Sequence, residues 1–218
     1  MNLSDGLERY KGTLFYRGAC ELERDAQKVT AAVRDAASAP SQSSVAQARD
    51  FLIAVERWKA GCLEERTGNA AKNEGSKIWE ALVAAVTAES DRDKLCSIMV
   101  LRGFGSCTNP ETHQRPAKVA TSVLRFLFPE LWGVVDWRAA ATLGVLEKNG
   151  WDFDRAMKEA KTNRASDLRE CFKNIDEDAA IDYEKRYRAI TARQPELPRA
   201  ADVDMALFGL SLEAWPMG

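Results

Sequence analysis

The apolar residues of this chain recur every three to four positions, and this spacing limits the possible folds more than any other feature. Phe51, Leu52, Val55, Trp58 and Cys62 fall on one helical face, and Ile78, Trp79, Leu82, Val83 and Val86 on another. Leu95, Ile98 and Met99 form a third stripe ending at Gly103. Val119, Val123, Phe126 and Leu127 form a fourth, opened by Pro116. Leu168, Cys171, Phe172 and Ile175 repeat the pattern, as do Ala180, Tyr183, Tyr187 and Ile190, and then Val203, Ala206, Leu207 and Leu210. No segment sustains the period of two that a half-buried strand needs. The expected fold is all-α, a single helical unit over 1–218, with loops at 38–44, 66–76, 106–116 and 193–198.

Several function classes are disfavoured by composition. No apolar run approaches the roughly 18 residues of a membrane span. The start, "MNLSDGLERYKGTLF", lacks the features of a signal peptide, so a soluble, cytoplasmic monomer is expected. The five cysteines, at 20, 62, 96, 107 and 171, never stand as C-x-x-C, which argues against a zinc ribbon or an iron–sulfur cluster. His113 is the only histidine, so a His-rich metal site is excluded and a Ser-His-Asp site disfavoured; no metal or cofactor is expected. The net charge of −2 does not advertise nucleic-acid binding, although a local patch can hide in a balanced total.

One stretch carries more than packing information: "LRGFGSCTNPETHQRPAKVATSVLRFLFPELWGVVDWRAA", residues 101–140. Gly103-Phe104-Gly105 forms a turn whose glycines permit positive φ and bring backbone N–H groups toward whatever lies against it, as an anion site requires. Lys118 opens the next helix. Near the positive end of the helix dipole its protonated form is disfavoured, which makes a neutral, nucleophilic amine more available. Lys118, Thr121, Ser122 and Arg125 follow helical spacing and form a polar stripe, either a solvated face or the wall of a groove. Asp136 is a good N-cap for the helix "WRAAATLGVLEKN", closed by Gly150; an N-cap carboxylate is stabilised as the anion.

The order of turn, lysine-bearing helix, apolar segment and "GVVDWR" resembles the helix-hairpin-helix DNA glycosylase superfamily, of the endonuclease III and 8-oxoguanine glycosylase kind. "LRGFG" is similar to the hairpin of that family, "AKVATSVLRFL" to the helix bearing its catalytic lysine, and "GVVD" to its aspartate segment; Lys118 and Asp136 stand 18 positions apart. The helix-hairpin-helix element would span about 91–128 and the aspartate segment 134–148. The chain departs from the family at Arg102, where proline is usual, at Trp137 after the aspartate, and in "SCTNPETHQRP", inserted before the lysine helix. It also lacks the cysteine cluster that some members carry.

The resemblance implies two helical subdomains around a cleft and an enzyme that flips a damaged or modified base out of double-stranded DNA to cleave its N-glycosidic bond. Asp136 would be the catalytic carboxylate and Lys118 the Schiff-base amine, able to support strand cleavage. Gly103, Phe104, Gly105, Arg102, Arg115 and Arg125 would contact DNA. Trp132 and Trp137, with Phe104, Trp79 and Trp58 as further candidates, would supply the base pocket. Thr112, His113, Gln114 and Arg115 of the inserted loop could read a base or a phosphate. Between Arg102 and Arg125 four positive residues face Glu111 alone, and a second basic stretch runs from Arg155 to Lys173. Base excision repair and defence against modified phage DNA are both compatible with this activity. Two other readings remain: a noncatalytic helix-hairpin-helix module that grips DNA, and an all-α protein-interaction protein.

Overall fold

The computed structural model describes residues 2–36, 39–61, 68–105 and 117–217. Their regular structure is helical, with no strand among them: α1 (Leu3–Lys11), α2 (Leu14–Ala36), α3 (Gln42–Lys59), α4 (Gly75–Thr87), α5 (Asp91–Met99), α6 (Lys118–Leu127), α7 (Trp137–Lys148), α8 (Phe153–Ala160), α9 (Ala165–Cys171), α10 (Glu177–Thr191) and α11 (Ala200–Ala214), with a 3-10 turn at Ala70–Lys72. None of the described helices is long and apolar enough to cross a membrane. The all-α expectation therefore holds.

Local chemistry explains where many of these helices begin. Asn2, Ser41, Ser90, Asp136, Asp152 and Asp176 each accept an amide hydrogen bond from the first turn of the helix that follows, satisfying donors that have no intrahelical partner. Gly150, φ +60°, ends α7 in the left-handed conformation. The helix expected around Leu168 stops at Cys171, so Ile175 lies beyond it, where its carbonyl accepts the Ala117 N–H at 2.7 Å. The long α2 was not among the stripes read from the sequence; its buried face is mostly Ala and Val interleaved with charges, a weak apolar contrast.

Three helices are enclosed over most of their surface. Ala120 to Leu127 of α6 are all buried, as are most residues of α7 and α11. This overturns the expectation for three of the four residues in the polar stripe of α6, which form neither a solvated face nor a groove wall. Thr121, Ser122 and Arg125 have no exposed surface. Arg125 lies 2.8 Å from Glu23 on α2 and donates to the Met205 sulfur at 3.3 Å. A guanidinium held inside the core cannot reach a phosphate, so Arg125 is a structural residue and not a DNA contact.

Between α6 and α7 the chain passes through the core as an irregular strap, Gly133-Val134-Val135. Buried backbone amides need partners, and helices from three places in the chain provide them. The Gly133 N–H donates to Glu184 of α10 at 2.9 Å, and the Val135 N–H to the Thr121 hydroxyl at 3.2 Å. The Val134 N–H bonds the Asp204 carboxyl of α11, and the Val134 carbonyl accepts from the Tyr187 hydroxyl at 3.3 Å. The strap delivers Asp136 to the first turn of α7.

Gly133 has no room for a side chain. A Cβ there would lie 2.7 Å from the Asp204 Cβ and 2.8 Å from the Tyr187 ring. Gly133→Ala is expected to cost about 1–3 kcal/mol through overpacking. A thermal melt reads this directly; an unchanged Tm would show that the strap yields.

Candidate active site

A cavity of about 620 Å³ opens beside the end of this strap. Lys118, Asp136, Trp137 and Gly103 all line it, so four residues singled out in residues 101–140 reach one space. Distant elements complete the wall: Tyr10 of α1, Phe15 of α2, Trp58 and Lys59 of α3, and Asp204 and Phe208 of α11. A concave, mostly apolar space with several aromatic rings and a few convergent charges is the usual form of a small-ligand site.

Asp136 divides its two oxygens between structure and cavity. Oδ1 accepts the Arg138 and Ala139 amides at 2.9 and 3.0 Å, the bonds of an N-cap. Oδ2 is left to face Lys59, whose Nζ lies 3.2 Å away. Both side chains keep only about a sixth of their surface, 16% and 17%. This pair is less screened by water than a surface ion pair.

Lys118 opens α6 half-buried, and no other described residue pairs with its amine. Burial pushes the Lys118 ammonium below its ordinary range, the Lys59 charge adds to the shift and Asp136 opposes it. The direction is the one expected from its place at a helix start, but the dominant cause is desolvation. The cavity thus holds one lysine engaged by the aspartate and a second pushed toward its neutral amine.

Trp137 stands between two guanidinium groups. Arg138 lies 4.6 Å and Arg169 5.1 Å from its ring centre, within cation–π range. Arg138 is buried and held by the Ser211 hydroxyl and the Trp215 carbonyl. Arg169 is exposed at the cavity edge and belongs to the basic stretch of 155–173.

The structure also separates residues that the sequence grouped together. Trp132 is fully buried and outside the cavity lining; it is a core residue and not a pocket wall. Phe104 is likewise fully buried, and its N–H is taken by the Leu101 carbonyl at 3.1 Å, so neither its ring nor its amide is available to DNA. Gly105 is buried against Met99. Gly103, φ +96°, reaches the cavity, and Arg102 is exposed, its backbone clamped by the Asn73 side chain on both N–H and carbonyl. Among the further aromatic candidates Trp58 lines the cavity and Trp79 does not. Arg115 and the rest of the 106–116 loop, including Thr112, His113 and Gln114, lie outside the described residues, as does that part of the 91–128 element; α5 and α6 on either side pack together.

Lys59 and Asp204 went unnoticed in the sequence, as did Tyr10, Phe15 and Phe208 of the cavity wall. Lys59 gives no local signal, because its partner is 77 positions away. Asp204 gives one: an acid inside the apolar run "VDMALFGLSL". Its side chain is buried in the cavity wall, and its carboxyl is pushed up to about 7, first by burial and then by Asp136, with Arg125, the Val134 amide and Lys59 opposing.

That carboxyl imposes a pH dependence on stability. The folded protein holds a proton that an unfolded aspartate releases near pH 3.9. Asp204 therefore costs stability as pH rises from about 4, and the cost is complete above about 7. Asp204→Asn cannot ionise, so its stability relative to the parent should be higher at pH 8 than at pH 5, by on the order of 2–3 kcal/mol. Equal differences at the two pH values in denaturant melts would refute the assignment. Comparison of the chain with protein-family models, with curated proteins and with solved structures finds no match.

Proposed function

We propose that this protein is a DNA glycosylase that takes a damaged or modified base, flipped from double-stranded DNA, into the aromatic cavity and breaks its N-glycosidic bond. The observation that carries this reading is the meeting of Lys118 and Asp136 in one cavity, where burial pushes the amine toward its neutral form. The spacing of these two residues and their resemblance to a glycosylase motif support the same reading.

The chemistry follows from the placement of the groups. A flipped base would stack on rings such as Trp137, Trp58 or Phe208, contacts worth about 1–3 kcal/mol per base. Departure of the base develops positive charge on the sugar, which the Asp136 carboxylate stabilises electrostatically. The Lys118 nitrogen bonds to C1′ while the C1′–N bond to the base breaks, and the electron pair of that bond leaves with the base. Loss of a proton from nitrogen and ring opening then give an imine. Lys59 holds Asp136 in place and, through its charge, favours the neutral Lys118 amine. Arg169, Arg102 and the basic stretch of 155–173 supply phosphate contacts around the opening.

Borohydride trapping tests the proposal. The protein is incubated with duplexes carrying single damaged or modified bases, or an abasic site, and then reduced. A covalent protein–DNA band is expected, absent in Lys118→Gln. Asp136→Asn should lose turnover by about 100-fold or more while retaining salt-dependent duplex binding. No band and no abasic product on any duplex would sink the proposal. Lys59→Met supplies a pH test: removing that charge should shift the alkaline rise in trapping rate upward, because Lys118 loses the neighbour that favours its neutral form. An unmoved profile would remove Lys59 from the mechanism.

A further inference from the structure

Asp204 has no role in the chemistry above, yet it is a carboxyl group buried in the wall of the same cavity. It comes from α11, far along the chain from the strap. One hydrogen bond holds it, from the Val134 amide two residues before Asp136. No described residue forms an ion pair with it. The groups that act on it are Asp136 at the start of α7, Lys59 of α3, Arg125 of α6, Tyr10 of α1, and Tyr187 and Glu184 of α10. Tyr10, Tyr187 and Glu184 are themselves pushed toward their neutral forms by burial, so they offer no compensating charge. Asp136, the acid that pushes the Asp204 carboxyl up, is engaged by Lys59. The two carboxyl groups thus face one cavity in different settings, one ion-paired and the other desolvated. That is how a single site keeps one carboxylate charged and another carboxyl protonated.

We propose that Asp204 is the general acid that protonates the departing base, and that the substrate is therefore a neutral modified base rather than a cationic alkylated one. This inference rests on the glycosylase reading. A neutral base leaves poorly as an anion, whereas an alkylated base that already carries positive charge leaves as a neutral molecule without help. In the step assigned here, the C1′–N bond breaks and its electron pair enters the base. The Asp204 proton passes to a ring nitrogen or exocyclic oxygen of the base, which departs neutral. Asp204 is left as a carboxylate, the Lys118 nitrogen holds the new bond to C1′, and Asp204 regains its proton from water through the cavity before the next turnover.

Base excision needs this acid at the base, whereas imine formation at a preformed abasic site expels the C1′ oxygen as water, with a proton that solvent in the emptied pocket supplies. The two reactions are therefore run in parallel on the full chain. Single-turnover excision uses duplexes carrying an oxidised purine, a hydroxymethylated cytosine or a cationic 7-methylguanine, and borohydride trapping uses an abasic duplex. Both reactions need the neutral Lys118 amine, so the ratio of neutral-base excision to abasic trapping in the parent should fall as pH rises through about 7. Asp204→Asn should slow excision at least 100-fold, as loss of a general acid does, and should trap the abasic duplex within twofold of the parent.

Excision of a neutral base by Asp204→Asn at the parental rate would overturn the inference and leave the glycosylase reading standing. So would a parent that excises only 7-methylguanine. Loss of abasic trapping in Asp204→Asn would also overturn it, by showing that Asp204 supports the whole site. The parental pH profile stands without any variant: a ratio of excision to trapping that stays flat through pH 7 would overturn the inference even if Asp204→Asn failed to fold. A parent that neither excises nor traps would bring down the glycosylase reading and this one together.

Discussion

The site depends on a length of irregular backbone that has been made affordable to bury. Gly133, Val134 and Val135 cross the core without a helix to satisfy their amides, and Glu184, Asp204 and Thr121 do so instead. An amide left without a partner there would cost about 1–3 kcal/mol. Polar side chains from α6, α10 and α11 are therefore fixed inside an otherwise apolar interior. The strap in turn fixes where α7 starts, and with it the position of Asp136. Asp204 belongs to both systems, as partner of the Val134 amide and as part of the cavity wall.

The electrostatics of the cavity follow from this arrangement. Lys59, Lys118, Arg138 and Arg169 meet Glu56, Asp136 and Asp204 around one aromatic space. The charges are sorted rather than pooled. Glu56 accepts the Asn69 and Ala70 amides, Asp136 is shared between its helix and Lys59, and Arg138 is tied to the carboxy-terminal end of α11. Lys118 and Asp204 are left without ion-pair partners among the described residues, and both are pushed toward their neutral forms by burial. Groups displaced from their ordinary protonation in a cleft are where proton transfer and nucleophilic attack are most readily supported.

The walls of the cavity come from parts of the chain that no short motif contains. Tyr10, Phe15, Trp58 and Phe208 approach from four helices, and Trp137 is set by its place in the first turn of α7. α11 carries a large share of this work. It is buried along most of its length and presents both Asp204 and Phe208 to the cavity. Its packing against α1 brings Tyr10 within 5.4 Å of Phe208, edge to face.

What the sequence determined by itself was local. The period of the apolar stripes named the helical class, and the caps placed helix starts, because both depend on neighbours three or four positions away. Asp136 could be read as an N-cap, Gly103 as a turn and Lys118 as the opening residue of a helix for the same reason, and all three reach the cavity. Tertiary structure decided everything that depends on what lies across the gap. Arg125, Trp132 and Phe104 have the chemistry of binding residues, yet α6 and the turn before it are enclosed and those side chains serve the core. Lys59 became the partner of Asp136 only when the fold brought the end of α3 within reach of the start of α7. Asp204 became a perturbed acid only when α11 was buried against the strap. Spacing along a helix fixes which residues share a face, but burial and ion pairing are properties of the packed chain, and long-range packing assigned them here.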